Sequence, residues 1–107
     1  MTKIDKEFNK NEDAMKLKIS QFKRRLEKIY EGGGVAKLEK QRSKGKMTAR
    51  ERVEYLIDDQ SYFFEIGEFA GYKMYEEYGG CPAGGVIVGI GRVQGRLCVI
   101  VANDASV

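Results

Sequence analysis

Apolar positions along the chain change their spacing near Ser61, and the change divides the sequence into a helical part and a strand part. Met15, Ile19, Phe22, Leu26 and Ile29 recur at intervals of 4, 3, 4 and 3, which aligns them on one stripe of an α-helix starting near Glu12. Lys16, Lys18, Lys23, Arg24, Glu27 and Lys28 fall mostly off that stripe. Gly32-Gly33-Gly34 ends the helix, because glycine takes the left-handed cap at no steric cost and then breaks regularity. The stripe is short for a coiled coil, so it predicts a helix laid on another surface. A second, weakly amphipathic helix is expected from Val35 to about Lys44, with Val35, Leu38 and Gln41 on one side and Gly45 as its stop. A third begins at Thr48, where Thr48-x-x-Glu51 has the form of a capping box. Val53, Leu56 and Ile57 form its buried side, and Asp58-Asp59 its end.

Beyond Ser61 the pattern is that of strands. Tyr62 to Ile66 is short and aromatic, as suits an edge strand. A glycine-rich loop, Gly79 to Gly85, holds the single proline, Pro82. Val86–Val93 and Leu97–Ala102 then form two strands joined across Gln94-Gly95, a good hairpin turn. The second of them, Leu97-Cys98-Val99-Ile100-Val101-Ala102, is apolar on both faces. Such a strand belongs inside a layered structure, and little in this chain is left to cover its second face. The organisation expected is a flexible N-terminus over 1–11, a helical region over 12–61, and over 62–107 the start of something larger.

Composition narrows the function by exclusion. The 107 residues are one small domain at most, 42% apolar and 33% charged. Histidine is absent, which removes His-based triads and His-containing metal sites. Cys81 and Cys98 are isolated thiols, which fit a reducing cytoplasm better than a disulfide scaffold. No apolar run approaches a membrane span, and the N-terminus has neither the apolar core of a secretory signal nor the arginine content of a transit peptide. A cytoplasmic protein with no membrane partner is expected.

Net charge is only +3, so no global nucleic-acid footprint exists, but the charge is uneven. Lys37, Lys40, Arg42, Lys44, Lys46, Arg50 and Arg52 stand against Glu39 and Glu51. Lysines and arginines ahead of and within the first turn at Thr48 would reinforce the positive end of a helix dipole, and so suit a phosphate-bearing ligand. The plainer reading makes them solvated charges, with Arg50 and Arg52 paired to Glu51, Glu54 or Asp58. The neighbouring carboxylates Asp58-Asp59 and Glu76-Glu77 read as solvated faces. Asn103-Asp104 ends a buried strand, and capping the next turn is its plainer role. Gly89-Ile90-Gly91 does not open a dinucleotide fold, because a strand follows where a helix is required; close packing accounts for it better. Gly45-Lys46-Met47-Thr48 lacks the leading glycine of a P-loop.

Two stretches carry a resemblance. One is Gly45-Lys46-Met47-Thr48-Ala49-Arg50-Glu51-Arg52 through Leu56-Ile57-Asp58. The other is Gly84-Gly85-Val86-Ile87-Val88-Gly89-Ile90-Gly91-Arg92-Val93 and, past the turn, Val99-Ile100-Val101-Ala102-Asn103-Asp104. With Phe63-Phe64-Glu65 between them, the sequence resembles the N-terminal part of the carboxyltransferase (beta) subunit of biotin-dependent acyl-CoA carboxylases. Phe69-Ala70-Gly71-Tyr72, Met74-Tyr75 and Cys81-Pro82 look most like the 3-methylcrotonyl-CoA branch. The resemblance implies an α/β fold: N-terminal helices followed by the first β-hairpin of a crotonase-like (ClpP/crotonase) β-β-α spiral, truncated. It implies transfer of a carboxyl group from carboxybiotin, on a partner biotin carboxylase/biotin carrier subunit, to an acyl-CoA of 3-methylcrotonyl or propionyl type. It further implies a homo-oligomer of carboxyltransferase subunits, with no metal in this part. The family's oxyanion-hole segments follow the Asn-Asp stretch, so this piece is expected to be inactive alone and to hold no catalytic residue. Lys44, Lys46 and Arg50 are the expected CoA-binding residues. The other reading is a small basic module binding an anionic partner such as RNA; aromatics would support it, and none lies between Val35 and Val53.

Overall fold

The computed structural model describes residues 2–107. Helix α1 spans Lys3–Tyr30, α2 Val35–Ser43 and α3 Ala49–Leu56; strands β1 (Phe64–Ile66), β2 (Val86–Val93) and β3 (Arg96–Asn103) follow. The strands form an antiparallel sheet in the order β1-β2-β3. Helix α3 packs on one face of it. Ala49 and Val53 from the helix meet Ile87 and Ile100 from the sheet, with Ile57, Phe63, Val93, Cys98 and Ala102 around them.

Local chemistry explains the hairpin. Gln94 and Gly95 both take positive φ, at 51° and 79°, the geometry whose twist matches that of paired strands. Asp58 locks the turn: its carboxylate accepts from Gln94 N–H (2.6 Å) and Gly95 N–H (2.8 Å), while its own N–H donates to the Arg92 carbonyl (2.8 Å). Asp58, expected to be solvated, thus ties the end of α3 to a turn more than thirty residues away. Gly89 and Gly91 face α3 under the Phe63 ring. A Cβ on Gly89 would lie 2.5 Å from both Phe63 Cζ and the Phe64 carbonyl oxygen, so the close-packing reading of these glycines holds.

Two expectations change. The first helix starts at Lys3, not near Glu12. Thr2 caps it, accepting from Asp5 N–H at 3.1 Å while Asp5 accepts from Thr2 N–H at 3.1 Å, so the stretch read as a flexible N-terminus contributes two further turns of helix. Strand β3 is not interior but at the sheet edge. Ile100 is buried under α3, whereas Leu97, Val99 and Val101 on the opposite face are 65%, 73% and 63% exposed. The surplus of apolar residues noted in the sequence is real, and among the described residues nothing covers it.

Helix α1 leaves the body. Every residue from 2 to 25 is exposed, and contact with the rest begins where Phe22 stacks on Phe69, 4.7 Å between ring centres. This projection raises the radius of gyration to 18.0 Å, against about 13 Å for a compact chain of this length.

Candidate functional site

A concentration of unneutralised charge lies in a cleft between α2, the α2–α3 connection and the turn after β3. Lys37, Lys40, Lys44, Lys46 and Arg52 line it together with Gln41 and Asn103; its volume is about 600 Å³, and no acidic side chain lines it. None of these five cations has an ion-pair partner among the described residues. Gln41 adds an acceptor: its Oε1 is buried and has no hydrogen-bond partner among the described residues. A buried amide oxygen without a donor is costly unless a ligand or water supplies one.

The cleft exists because chain segments far apart in sequence meet at Gly33. Its N–H donates to Ser106 Oγ at 2.9 Å, and Ser106 Oγ in turn donates to Asp104 Oδ1 at 2.6 Å. Asp104 Oδ1 also accepts from Ser106 N–H at 2.9 Å, so Asp104 caps the turn that follows its strand. A Cβ on Gly33 would sit 1.7 Å from the Ser106 carbonyl oxygen. Only glycine permits this approach, and the approach sets α2, with its lysines, beside residues 103–107.

Of the residues expected to bind an anion, Lys44 and Lys46 line the cleft and Arg50 does not. Arg50 forms a two-pronged pair with Glu65, Nη1–Oε2 2.6 Å and Nη2–Oε1 2.9 Å, and its guanidinium lies 4.3 Å from the centre of the Tyr30 ring. Glu65 keeps only 9% of its side-chain exposure. The pairing anticipated for Arg50 therefore exists, with a partner on β1 in place of Glu51, Glu54 or Asp58. Tyr30 donates its hydroxyl to Glu68. The residue keeps 40% of its surface, yet partial burial, then that hydrogen bond and the negative charge of Glu68, push its pKa up to about 12. Arg42 is likewise spoken for, by Glu51 (Nε–Oε1 2.6 Å) and Glu39. The Arg42 hydrogen bond is the main cause holding the Glu51 carboxyl below its ordinary range. Thr48 is buried and caps α3, accepting from Glu51 N–H at 3.3 Å.

Lys37, Lys40 and Arg52 belong to the basic stretch that the sequence offers to an anion, although only Lys44, Lys46 and Arg50 are expected to bind coenzyme A; Asn103 is read chiefly as a cap, and Gln41 carries no expected ligand role. Lys37, Lys40 and Lys44 stand three and four residues apart along α2 and its cap, a spacing that places them on one side and is readable in the sequence. Asn103 joins them only through the Gly33–Ser106 contact, which no local pattern announces. Among the described residues no cluster of His, Cys, Asp and Glu is suited to a metal ion, and no helix is long and apolar enough to cross a membrane.

The family model described as the carboxyl transferase domain matches residues 40–107, which includes α3, the whole sheet and the Lys44–Lys46 side of the cleft. The chain belongs to the carboxyl transferase domain family. The methylcrotonoyl-CoA carboxylase beta chain of Dictyostelium discoideum, a mitochondrial protein, is 46% identical over 97% of the chain and 18% of its own length. The biotin-dependent 3-methylcrotonyl-coenzyme A carboxylase beta1 subunit of Mycobacterium tuberculosis is 42% identical over 83% of the chain and 16% of its own length. Among solved structures, transcarboxylase 12S, described as a hexamer and a multienzyme core with methylmalonyl-coenzyme A bound, superposes with a TM-score of 0.74 at 36% identity, over 83% of this chain and 18% of that one. The carboxyl transferase chain described here thus spans less than a fifth of the length of these relatives. Its helices and antiparallel hairpin are the α/β, crotonase-like beginning that the sequence implied.

Proposed function

We propose that the chain is the N-terminal, acyl-CoA-binding part of the carboxyltransferase subunit of a biotin-dependent acyl-CoA carboxylase, acting on an acyl-CoA of 3-methylcrotonyl or propionyl type. The observation that carries the proposal is the cleft itself: five cations and no acidic side chain around a space of about 600 Å³. Coenzyme A brings a pyrophosphate and a ribose phosphate, and charge-assisted hydrogen bonds to such groups are about twice as strong as neutral ones. Lys44 and Lys46 are assigned the phosphates, with Lys37, Lys40 and Arg52 completing the positive wall. Gln41 Oε1 offers an acceptor to an N–H of the same ligand, which carries both amide and amino groups. Arg50 enters through the framework: its hold on Glu65 fixes the helix that carries Arg52 into the cleft.

In this reading carboxybiotin, carried by a partner biotin carboxylase/biotin carrier subunit, is the carboxyl donor. The residues of this chain bind and orient the nucleotide end of the acceptor, and none is assigned a catalytic step. Assembly is with further copies of the carboxyltransferase subunit. The cytoplasm, a reducing compartment, suits the two free thiols, Cys81 and Cys98. The basic module for RNA is the weaker reading, because the cleft offers no aromatic platform for bases.

Calorimetric titration of the chain with coenzyme A tests the proposal. Saturable binding is expected, weakened about ten- to a hundredfold in the double variant Lys44→Ala/Lys46→Ala, on the scale of one or two lost contacts to an anion. Equal affinity of the variant and the parent chain, both folded, overturns the assignment.

A further inference from the structure

We propose, resting on the coenzyme A reading of the cleft, that Gln41 is its specificity residue and selects an adenine nucleotide by pairing with the edge of the base. Among the described residues, Gln41 Oε1 alone is a buried side-chain polar atom without a hydrogen-bond partner. Folded chains seldom leave such an acceptor empty unless something comes to fill it. Gln41 lies in the last turn of α2, with Lys37 four residues before it and Lys44 three after, so the amide sits between two cations on one side of the helix. Its backbone carbonyl accepts from Lys46 N–H at 3.2 Å, which brings a third cation alongside.

The rest of the wall is different in kind. Met47, Ala49, Ala105 and Val107 line the same cleft and give it apolar surface. Cations, apolar surface and one unsatisfied acceptor together describe a ligand with phosphates, a flat apolar body and an N–H donor at its rim. The nucleotide end of coenzyme A has all three. The faces of a purine suit aliphatic side chains and the thioether of Met47. The 6-amino group of adenine donates beside a ring nitrogen that accepts, an arrangement that a glutamine amide matches with two hydrogen bonds. The pantetheine amides do not match it. In a trans amide the N–H and C=O point opposite ways, so one glutamine cannot engage both. The terminal torsion of glutamine is soft, so turning the amide into the cleft costs little and exchanges an unpaired acceptor for a paired one.

Calorimetry on the full chain with two nucleotides tests the assignment. One is adenosine 3′,5′-bisphosphate; the other is purine riboside 3′,5′-bisphosphate, which differs only in lacking the 6-amino group. The parent chain is expected to bind the adenosine compound about tenfold more tightly, since the other leaves the acceptor unpaired. In Gln41→Leu the two should bind alike, near the weaker of the two parent affinities. Equal affinities in the parent chain overturn the proposal and leave the coenzyme A reading standing, and this comparison does not depend on the variant folding. A preference that survives in folded Gln41→Leu overturns it too. So does binding of coenzyme A with neither nucleotide bound, because recognition then lies in the pantetheine arm. Failure of coenzyme A itself to bind removes the coenzyme A reading, and the role of Gln41 with it.

Discussion

Residues 37–52 hold two populations of cations that sequence alone does not separate. Lys37, Lys40, Lys44, Lys46 and Arg52 line a cleft without an acidic side chain, while Arg42 and Arg50 in the same stretch are each claimed by acids. Arg50 alternates with Arg52 on α3, yet one points to β1 and the other to the cleft. What differs is the company each side chain keeps. Arg50 meets a carboxylate with 9% of its surface left, which fixes the fold, and Arg52 has no ion-pair partner among the described residues and shares a cleft with four lysines, which a fold tolerates where an anion is to be bound.

Removing Arg50 should break the comparison most forcefully. Arg50→Ala strands the nearly buried Glu65 carboxylate and should cost about 2–3 kcal/mol of stability, read as a lower urea midpoint, since losing one member of a buried pair leaves an uncompensated charge. Coenzyme A affinity of the folded fraction should stay within about twofold. A large loss of affinity with unchanged stability would move Arg50 into the ligand site. Salt should sharpen the contrast. Raising ionic strength from about 0.05 to 0.5 M should weaken coenzyme A binding about tenfold at the exposed lysines and leave the urea midpoint nearly unchanged, since partly buried pairs are screened less. A midpoint that falls in step with affinity would mean that both populations are merely solvated charges.

The smallest effect concerns Tyr30, which lies over Arg50. Its pKa rises from 10.0 to about 12 on folding, so above pH 10 the unfolded chain loses a proton that the folded chain retains. The stability gained is complete below pH 10 and lost as pH rises towards 12. Tyr30→Phe should flatten that decline; a tyrosine titration by ultraviolet absorbance with every phenol near 10 would contradict it.

Much of this is legible in the sequence because it is local. The cap at Thr48, the Gln94-Gly95 turn, the two long strands and the tight packing at Gly89 and Gly91 depend on neighbours or on a two-residue period. The start of α1 escapes such a reading because Thr2 and Asp5 look like polar residues of a loose end, although together they are a cap. Asp58 escapes it as a fastener, and so does the identity of Arg50's partner, because the groups they hold lie 36 and 15 residues away. The cleft is half visible: the lysines of one helix can be read, whereas Asn103 and Ser106 arrive only through the fold. The exposed outer face of β3 shows as a surplus of apolar residues, but its place at the sheet edge does not, since strand order is not written in any one strand.

The seat of Gly33 against the Ser106 carbonyl has a mechanical consequence. Helix α1 leaves the body just before Gly33 and runs about 42 Å at 1.5 Å per residue, with most of that length unsupported. It is a long pointer held near its base by the Phe22–Phe69 stack and, past Tyr30, by the turn after β3. A shift at that turn tilts the free length about the stack, with a swing at Lys3 less than about twice as large, while the same shift narrows or widens the lysine cleft beside it. Aim of the helix and width of the cleft are therefore geared together, and a side chain larger than hydrogen at position 33 would jam both.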